Sequence, residues 1–537
     1  MIDNVIIIEN SERVKMMKLL LPVLVLFSLV CPLNLGYSLD PKMHLSNQNV
    51  DSRYIPHDSI YIENDDDFTY DNGVVNGTGT FNDPYMISGW EIENITIEGN
   101  PSNITKYFEI TNCSVTGCIF LGFIEDGRCK NIDNCIITPS FPRGIDAWYV
   151  DHMTINSCTF YLNHSNNISR GISIQLTKFA TVKDCKFYAR QQYNSIALRA
   201  DYATLIENCS FSNSDVGIYT KEKTIVKSCS FDNSSDEGIV IRGNHNLIEE
   251  CTFENDAMGI EISTPQNNAT IRGCSFAHEF EAIVSASMYD VYNYSCDHVI
   301  ENCTFLDNIL SGIDLLQSER IIVRDCIFNN SADIYSSSGA IELRDNDFGQ
   351  QITRNCKIYS NYFIDNQVAI GIEASISDKV VNNLFYNNYF QGNTKNANQL
   401  CQGELDRQQW NIAKTLGQNI IGGLYLGGNY WDDYTGFDFN GDGLGEITYR
   451  IYENKAMDNL PLTNRSPQIT YGLFLGAIAN RSTLNSTINF RANHVVVLSF
   501  PPLAFKVCHS NEQFYISEQH LGYIGDKIIF ALCKIYY

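Results

Sequence analysis

Cys-x-Phe recurs eight times between residues 158 and 328, starting at Cys158, Cys185, Cys209, Cys229, Cys251, Cys274, Cys303 and Cys326. Asn361-Tyr-Phe363 and Asn388-Tyr-Phe390 carry the series on with Asn in the Cys slot. Cys113 and Cys135 begin it, with Val115 and Ile137 in the Phe slot. From Cys135 to Cys326 the spacing runs between 20 and 29 residues. A period in the twenties marks a repeat architecture, in which each unit buries its apolar face only by stacking on its neighbours.

The other positions of the unit say what is stacked. Ile or Val stands three residues before each Cys, as in Ile155, Val182, Ile206, Val226, Ile248, Ile271, Ile300 and Val323. Directly before the Cys comes a residue suited to a tight turn: Ser157, Asp184, Asn208, Ser228, Gly273, Asn302 or Asp325, with Glu250 the exception. A strand ends there, the chain turns, and Cys-x-Phe starts the next strand with both side chains on one face. A further short strand follows at Gly217-Ile218, Gly238-Ile239, Gly259-Ile260, Gly312-Ile313 and Ala340-Ile341. Three short strands per repeat predict an all-β chain, a right-handed parallel β-helix of about eleven coils stacked ~4.8 Å apart. Cys, Phe and Ile then form ladders through its core, and the thiols are expected to be free and buried rather than bridged, because stacked side chains point the same way.

Open coils expose strand edges at both ends and need caps. Before the repeats stands "SIYIENDDDFTYDNGVVNGTGTFNDPYMISGWEI", and after them "GGNYWDDYTGFDFNGDGLGEITYRIYENKAMDNLPL". With these flanks the chain resembles the NosD-like (CASH-type) right-handed β-helix surface proteins over roughly residues 55–465. The resemblance implies a cell-surface protein that binds or processes carbohydrate. The family takes its name from a periplasmic protein that serves copper-site maturation, so metal delivery is a third reading it raises. The resulting division is a leader at 1–38, an N-terminal cap at 39–105, repeats at 106–400, a C-terminal cap at 401–465 and a tail or small appended module at 466–537.

Arg13, Lys15 and Lys18 precede an apolar run from Leu19 to Val30, which reads as a secretory signal, or as an uncleaved anchor that would be the chain's one contact with membrane. Asn-x-Ser/Thr sequons, among them Asn76, Asn94, Asn103, Asn163, Asn167, Asn233, Asn268, Asn293 and Asn329, agree with export and a glycoprotein. A net charge of −25 argues against nucleic acid as a partner.

Two places offer chemistry. Asp438, Asn440, Asp442, Leu444 and Glu446 alternate with Phe and Gly as in a loop that wraps Ca²⁺, here in a structural role at the cap, although Tyr449 stands where the usual twelfth-position Glu would be. The second is the outward position of the Gly-Ile strand, read as Asp146, Ser173, Ala197, Tyr219, Val240, Glu261, Val284, Asp314, Glu342 and Glu373. On that reading Asp314, Glu342 and Glu373 stack on successive coils. The next outward position gives Arg199, Lys221 and Arg242, then Arg344 beside Glu342. Such a row is either an ordinary solvated face or a groove for a polysaccharide. In the groove, Arg199, Lys221, Arg242 and Glu261 would bind, and Asp314, Glu342, Glu373 and Arg344 would be the candidates for lyase or hydrolase chemistry. No Gly-His-Gly, nucleophile–His–acid set, P-loop or zinc-ligand pair is present to make an enzyme of it by motif.

Overall fold

The computed structural model describes residues 54–466, apart from 100–102, 125–126, 141, 163–168, 191–194, 264–267, 287–294, 332–337, 346–351, 375–378, 402–406 and 453–455, and beyond 468 only strands. The apolar N-terminal segment and the sequons at Asn163, Asn167 and Asn293 lie outside the described residues. Among the described residues no helix is long and apolar enough to cross a membrane.

Each Cys-x-Phe strand is set off at its two ends by residues that take the left-handed backbone conformation. The residue before the Cys does so at Asn208, Ser228, Asn302 and Asp325, with φ between 51° and 56°, and Glu250 follows them at 54°. The residue two positions after the Phe does so at Asn213, Asn233, Asn255 and Asp307, with φ between 54° and 62°. Asn and Asp enter this region at least cost, which is why they crowd the corners. Between the corners the Cys-x-Phe strand has room for three residues, as in Ser210–Ser212 and Thr252–Glu254.

The coils stack in register as parallel strands, except that Val74–Asn76 pairs antiparallel with Tyr85–Ser88 at the start of the second sheet. Among the described residues, one sheet of fifteen strands runs from Ile55–Pro56 to Tyr430–Trp431 and carries the Phe positions. A second, of fourteen, runs from Val74–Asn76 to Leu384–Tyr386 and carries the Ile or Val that precedes each Cys. The third, also of fourteen, runs from Ile60–Ile62 to Lys395–Cys401 and carries the Gly-Ile positions. All three begin within the segment read from sequence as the N-terminal cap. Val115, Ile137 and Phe160 are consecutive partners, as the Phe-slot reading requires.

From Phe160 to Phe390 ten phenylalanine rings stack face to face, 4.6–5.0 Å between centroids and within 8° of parallel, and Trp431 closes the pile at 4.4 Å. The sheet spacing imposes this near-eclipsed arrangement, since every ring hangs from the same position of successive coils. The cysteines whose side chains are described, from Cys113 to Cys356, are all free. From Cys113 to Cys326 the ladder thiols are 0–2% exposed, and their Sγ–H groups donate to main-chain carbonyls, as Cys135 does to Asp133 and Cys158 to Asn156. Burial alone pushes Cys129 up to about 12, so it stays a thiol at neutral pH.

From Gly144 to Ala369 the position before the inward residue of the third sheet is always Gly or Ala. A Cβ on Gly238 would lie 2.7 Å from the Gly259 carbonyl oxygen and 2.9 Å from the Phe253 ring. This small slot sets the register and corrects two assignments made from sequence. Ala197 fills the slot itself, so Leu198 points inward and Arg199 outward, paired with Ser173 and Tyr219. Ala369 fills it in a later coil, so Gly371, not Glu373, follows Glu342 in the outward row. Glu373 stands one row over, beside Arg344.

A polar ladder runs inside the corner after the Phe sheet, through Ser234, Asp256, Glu279, Asn308, Ser331 and Asn366, all buried. Most members hydrogen-bond to the next coil, as Asn308 accepts from Glu279 N–H at 3.0 Å and Asn366 from Ser331 N–H at 2.8 Å. Glu279 is the exception, for among the described residues neither carboxyl oxygen has a partner, nor does one oxygen of Asp256. Burial, then the neighbouring Asp256, pushes Glu279 up to about 10, and burial pushes Asp256 up to about 7. Both groups therefore bind protons more tightly folded than unfolded. Their contribution is complete below the ordinary carboxyl range and declines as pH rises through about 7 and then about 10. The melting temperature of Glu279→Gln is expected to fall less between pH 6 and 10 than that of the unaltered chain; parallel curves would show that Glu279 does not titrate in the fold.

Where Asn replaces Cys in the last coils, the ladder becomes a chain of amides. Asn361 donates to Asn388 at 3.1 Å and Asn388 to Asn429 at 3.0 Å. It ends next to Asp458, which is fully buried and accepts from Asn429 N–H at 2.7 Å, Trp431 Nε1–H at 3.0 Å and Leu460 N–H at 3.0 Å. Beyond 468, strand Ile469–Leu475 pairs antiparallel with Lys527–Tyr536, which also pairs with Ile516–Ile524, and His494–Ser499 pairs with Ala504–His509.

Candidate functional site

The outward face of the third sheet gathers most of the residues singled out from sequence. Its central row reads Asp146, Ser173, Arg199, Tyr219, Val240, Glu261, Val284, Asp314, Glu342 and Gly371, each the register partner of the next. Two residues further along the strands, Leu316, Arg344 and Glu373 are consecutive partners. Arg199 is thus not in line with Lys221 and Arg242, and the three cations do not form one row. On the near side of the small slot runs a row that the motif reading passed over: Arg143, Arg170, Ile196, Val216, Glu237, Met258, Glu281 and Ser311. Taking the residue directly before each Gly-Ile would have found it.

This face is not an ordinary solvated one. Asp314 is 0% exposed and Glu342 5%, and Glu237, Val240, Val284 and Asp146 are buried as well. Met258, Val284 and Leu316 form an apolar cluster of their own, separate from the core. Asp314 accepts from Arg344 Nε at 2.9 Å with each oxygen and from Nη2, so the guanidinium grips the carboxylate side-on. Arg344 is itself half-buried and pushed up by that partner first of all.

Glu342 is the register partner of Asp314 and shares Arg344 with it as a neighbour. Burial and the charge of Asp314 push it up to about 8, against the pull of Arg344, with Glu373 and Glu281 adding to the rise. It therefore keeps its proton through neutral pH. Further along, burial and then Asp236 and Glu261 hold Glu237 well above its ordinary range. Glu261 accepts from Ser263 and lies 3.8 Å from Arg242. Lys221 pairs at 3.1 Å with Asp201, as Arg199 does at 2.9 Å. The arrangement offers a proton donor, a fixed cation and several acceptors on one face, the parts that acid–base chemistry on a polar polymer uses.

The loop at 438–446 is built from its own side chains. Asp438 accepts from the amides of Gly441, Asp442 and Gly443, and Asp442 accepts from Leu444 N–H. Asn440 accepts from Asp442 N–H at 3.0 Å and Glu446 from Phe439 N–H at 2.9 Å. The second oxygen of Asp442 accepts from the Lys414 ammonium at 2.5 Å, and Asp442 is held below its ordinary range against the opposing effect of its burial. A cation at this loop would have to compete with Lys414.

The fold and these rows define a right-handed β-helix protein, and a sequence model described as a right handed beta helix region matches residues 100–221 and 194–348. A second model, described as periplasmic copper-binding protein (NosD), matches residues 283–436, which spans Asp314, Glu342 and Arg344. The chain is a β-helix repeat protein that is NosD-like over residues 283–436. No curated protein sequence matches it. Among solved structures it is similar to a mannuronic acid specific polysaccharide family 6 lyase from human gut microbiota, at 12% identity over 60% of this chain and 85% of that one, with a TM-score of 0.42. It is also similar to the A-module of a mannuronan C-5 epimerase of Azotobacter vinelandii, at 10% identity over 61% and 90%, TM-score 0.37. A tailspike protein of an E. coli bacteriophage, in complex with a hexasaccharide, matches at 13% identity over 58% and 59%, TM-score 0.36.

The residues described do not fit a copper site. Among them no three His, Cys, Asp or Glu side chains converge so as to hold a metal ion, and the ladder thiols are buried against carbonyls.

Proposed function

We propose that this is an exported, cell-surface protein that binds a polysaccharide along the outer face of the third sheet. The observation that carries the reading is the ion pair Asp314–Arg344 with Glu342 beside it, buried on a face that points away from the core. Charges on the outside of a solenoid are normally solvated; here they are preorganised, as groups that recognise a ligand are. Trp148 and Tyr219 lie half-buried on the same face, and flat rings beside fixed polar groups suit the faces and hydroxyls of sugars. Rows that recur from coil to coil suit a linear polymer whose units recur.

The test incubates the intact chain with a panel of neutral and acidic polysaccharides and follows both retention and new chain ends. Retention without new ends is the expected result for a binding protein, and no retention of any polymer in the panel would overturn the reading. A second reading, a polysaccharide lyase or hydrolase, is favoured by the proton held on Glu342. In that case new ends appear, they fall off as pH rises through about 8, and Glu342→Gln abolishes them while retention persists.

Structural calcium at Asp438, Asn440, Asp442, Leu444 and Glu446 is a separate proposal. Millimolar Ca²⁺ is expected to raise the melting temperature, and more so in Lys414→Gln, where the competing ammonium is gone; no rise in either protein sinks it.

A further inference from the structure

Arg143, Arg170 and Arg199 come from three successive coils, with Arg143 and Arg170 direct register partners and Arg199 the partner of Ser173, three residues past Arg170. Like charges on neighbouring strands repel, so each calls for an anion. Arg143 has Asp146 and Arg199 has Asp201. Arg170 has neither: among the described residues it makes no ion pair, and its Nε is buried without an acceptor. The adjoining segments cannot supply the missing carboxylate, because residues 163–168 and 191–194 contain no Asp or Glu. Burial, then Arg199 and Arg143, holds Arg170 below its ordinary range, against the weaker pull of Asp146 and Asp201.

We propose that Arg170 is the centre of a subsite for an anionic substituent, a carboxylate or a sulfate ester, and that the polysaccharide bound along this face is therefore acidic. The inference rests on the reading of the face as a polysaccharide site and names the class of ligand. The Arg170 side chain is only half-buried, and a planar guanidinium with no ion-pair partner takes a carboxylate or sulfate oxygen pair. The surroundings suit a charged sugar. Trp148 turns its indole N–H to Asp146 at 2.9 Å, which fixes its ring on this face, and the Arg199 guanidinium lies 5.4 Å from the Tyr219 ring. Arg143, Arg170, Arg199 and Lys221 face only Asp146 and Asp201 as assigned partners, a local surplus of two positive charges in a chain whose net charge is −25. A solvated surface of so acidic a protein has no need to concentrate them.

The experiment measures binding of the intact chain to polygalacturonate, alginate and heparin, with fully methyl-esterified polygalacturonate and dextran as neutral counterparts. At least one acidic polymer is expected to bind about tenfold or more tightly than the neutral ones, with an affinity that falls as salt rises. Arg170→Gln is expected to lower that affinity about tenfold, with Arg170→Lys between the two and the melting temperature no lower than in the unaltered chain. Equal binding of neutral and acidic polymers, or an unchanged affinity in Arg170→Gln, overturns the inference and leaves the polysaccharide reading standing. Failure of every polymer to bind overturns both.

Discussion

Replacing Phe276 by alanine is expected to lower stability by about 3–5 kcal/mol. The ring is 0% exposed and lies between Phe253 at 4.6 Å and Phe305 at 5.0 Å, both within 7° of parallel. Its loss removes two aromatic contacts at once, each worth about 0.5–1.5 kcal/mol beyond the area buried. The cavity cannot close by collapse, because the coils above and below are held at the sheet spacing by continuous hydrogen-bonded strands. In a solenoid each coil touches only its neighbours, so the defect also weakens coupling between the two halves of the array. Denaturant unfolding should show a lowered midpoint, with a broadened or split transition if the halves separate. Tyr188→Ala is the control: its ring stacks on Tyr161 at 5.5 Å on the exposed side of the same sheet, and it should cost under about 1 kcal/mol. Equal losses in the two variants would mean that the buried pile is not what holds the coils together.

That pile was legible in the sequence because Phe, Cys and Ile recur at fixed offsets from a polar corner, and because two left-handed residues leave the strand between them no freedom of length. Glu250 shows the limit of residue preference. It is a poor occupant of the left-handed region, yet the register of its neighbours puts it there.

The outward rows were harder to read, for a physical reason. Ala197 and Ala369 serve the small slot as well as Gly does, so aligning on Gly-Ile shifted two coils by two residues. A shift of two keeps a side chain on the same face, so hydrophobic alternation gave no warning. It moved Glu373 into line with Asp314 and Glu342, whereas the structure sets it beside Arg344. Burial of the face was not legible at all. Alternation says which way Asp314 points, but not whether water reaches it. Arg170 escaped notice because its interest lies in what it lacks, and a missing partner becomes visible only when the neighbours have been placed.

The pairing of Arg344 with Asp314 links stability to the site. Arg344→Leu leaves a carboxylate with 0% exposure and no guanidinium, with Glu342 as its register partner on the next coil. Removing one member of a buried ion pair is expected to cost about 3–5 kcal/mol, because the remaining charge is stranded rather than solvated. Adding Asp314→Asn to Arg344→Leu removes the stranded charge and should recover most of the loss, and denaturant midpoints of the four proteins give the coupling directly. If Arg344→Leu alone were as stable as the unaltered chain, Asp314 would have to reach water or another cation, and the face would not be preorganised. If instead the double variant regained stability but bound no polysaccharide, the pair would be maintained for the ligand rather than for the fold. A hydrophobic or amide replacement holds a solenoid together as well as an ion pair does, but it cannot present a fixed guanidinium to a sugar.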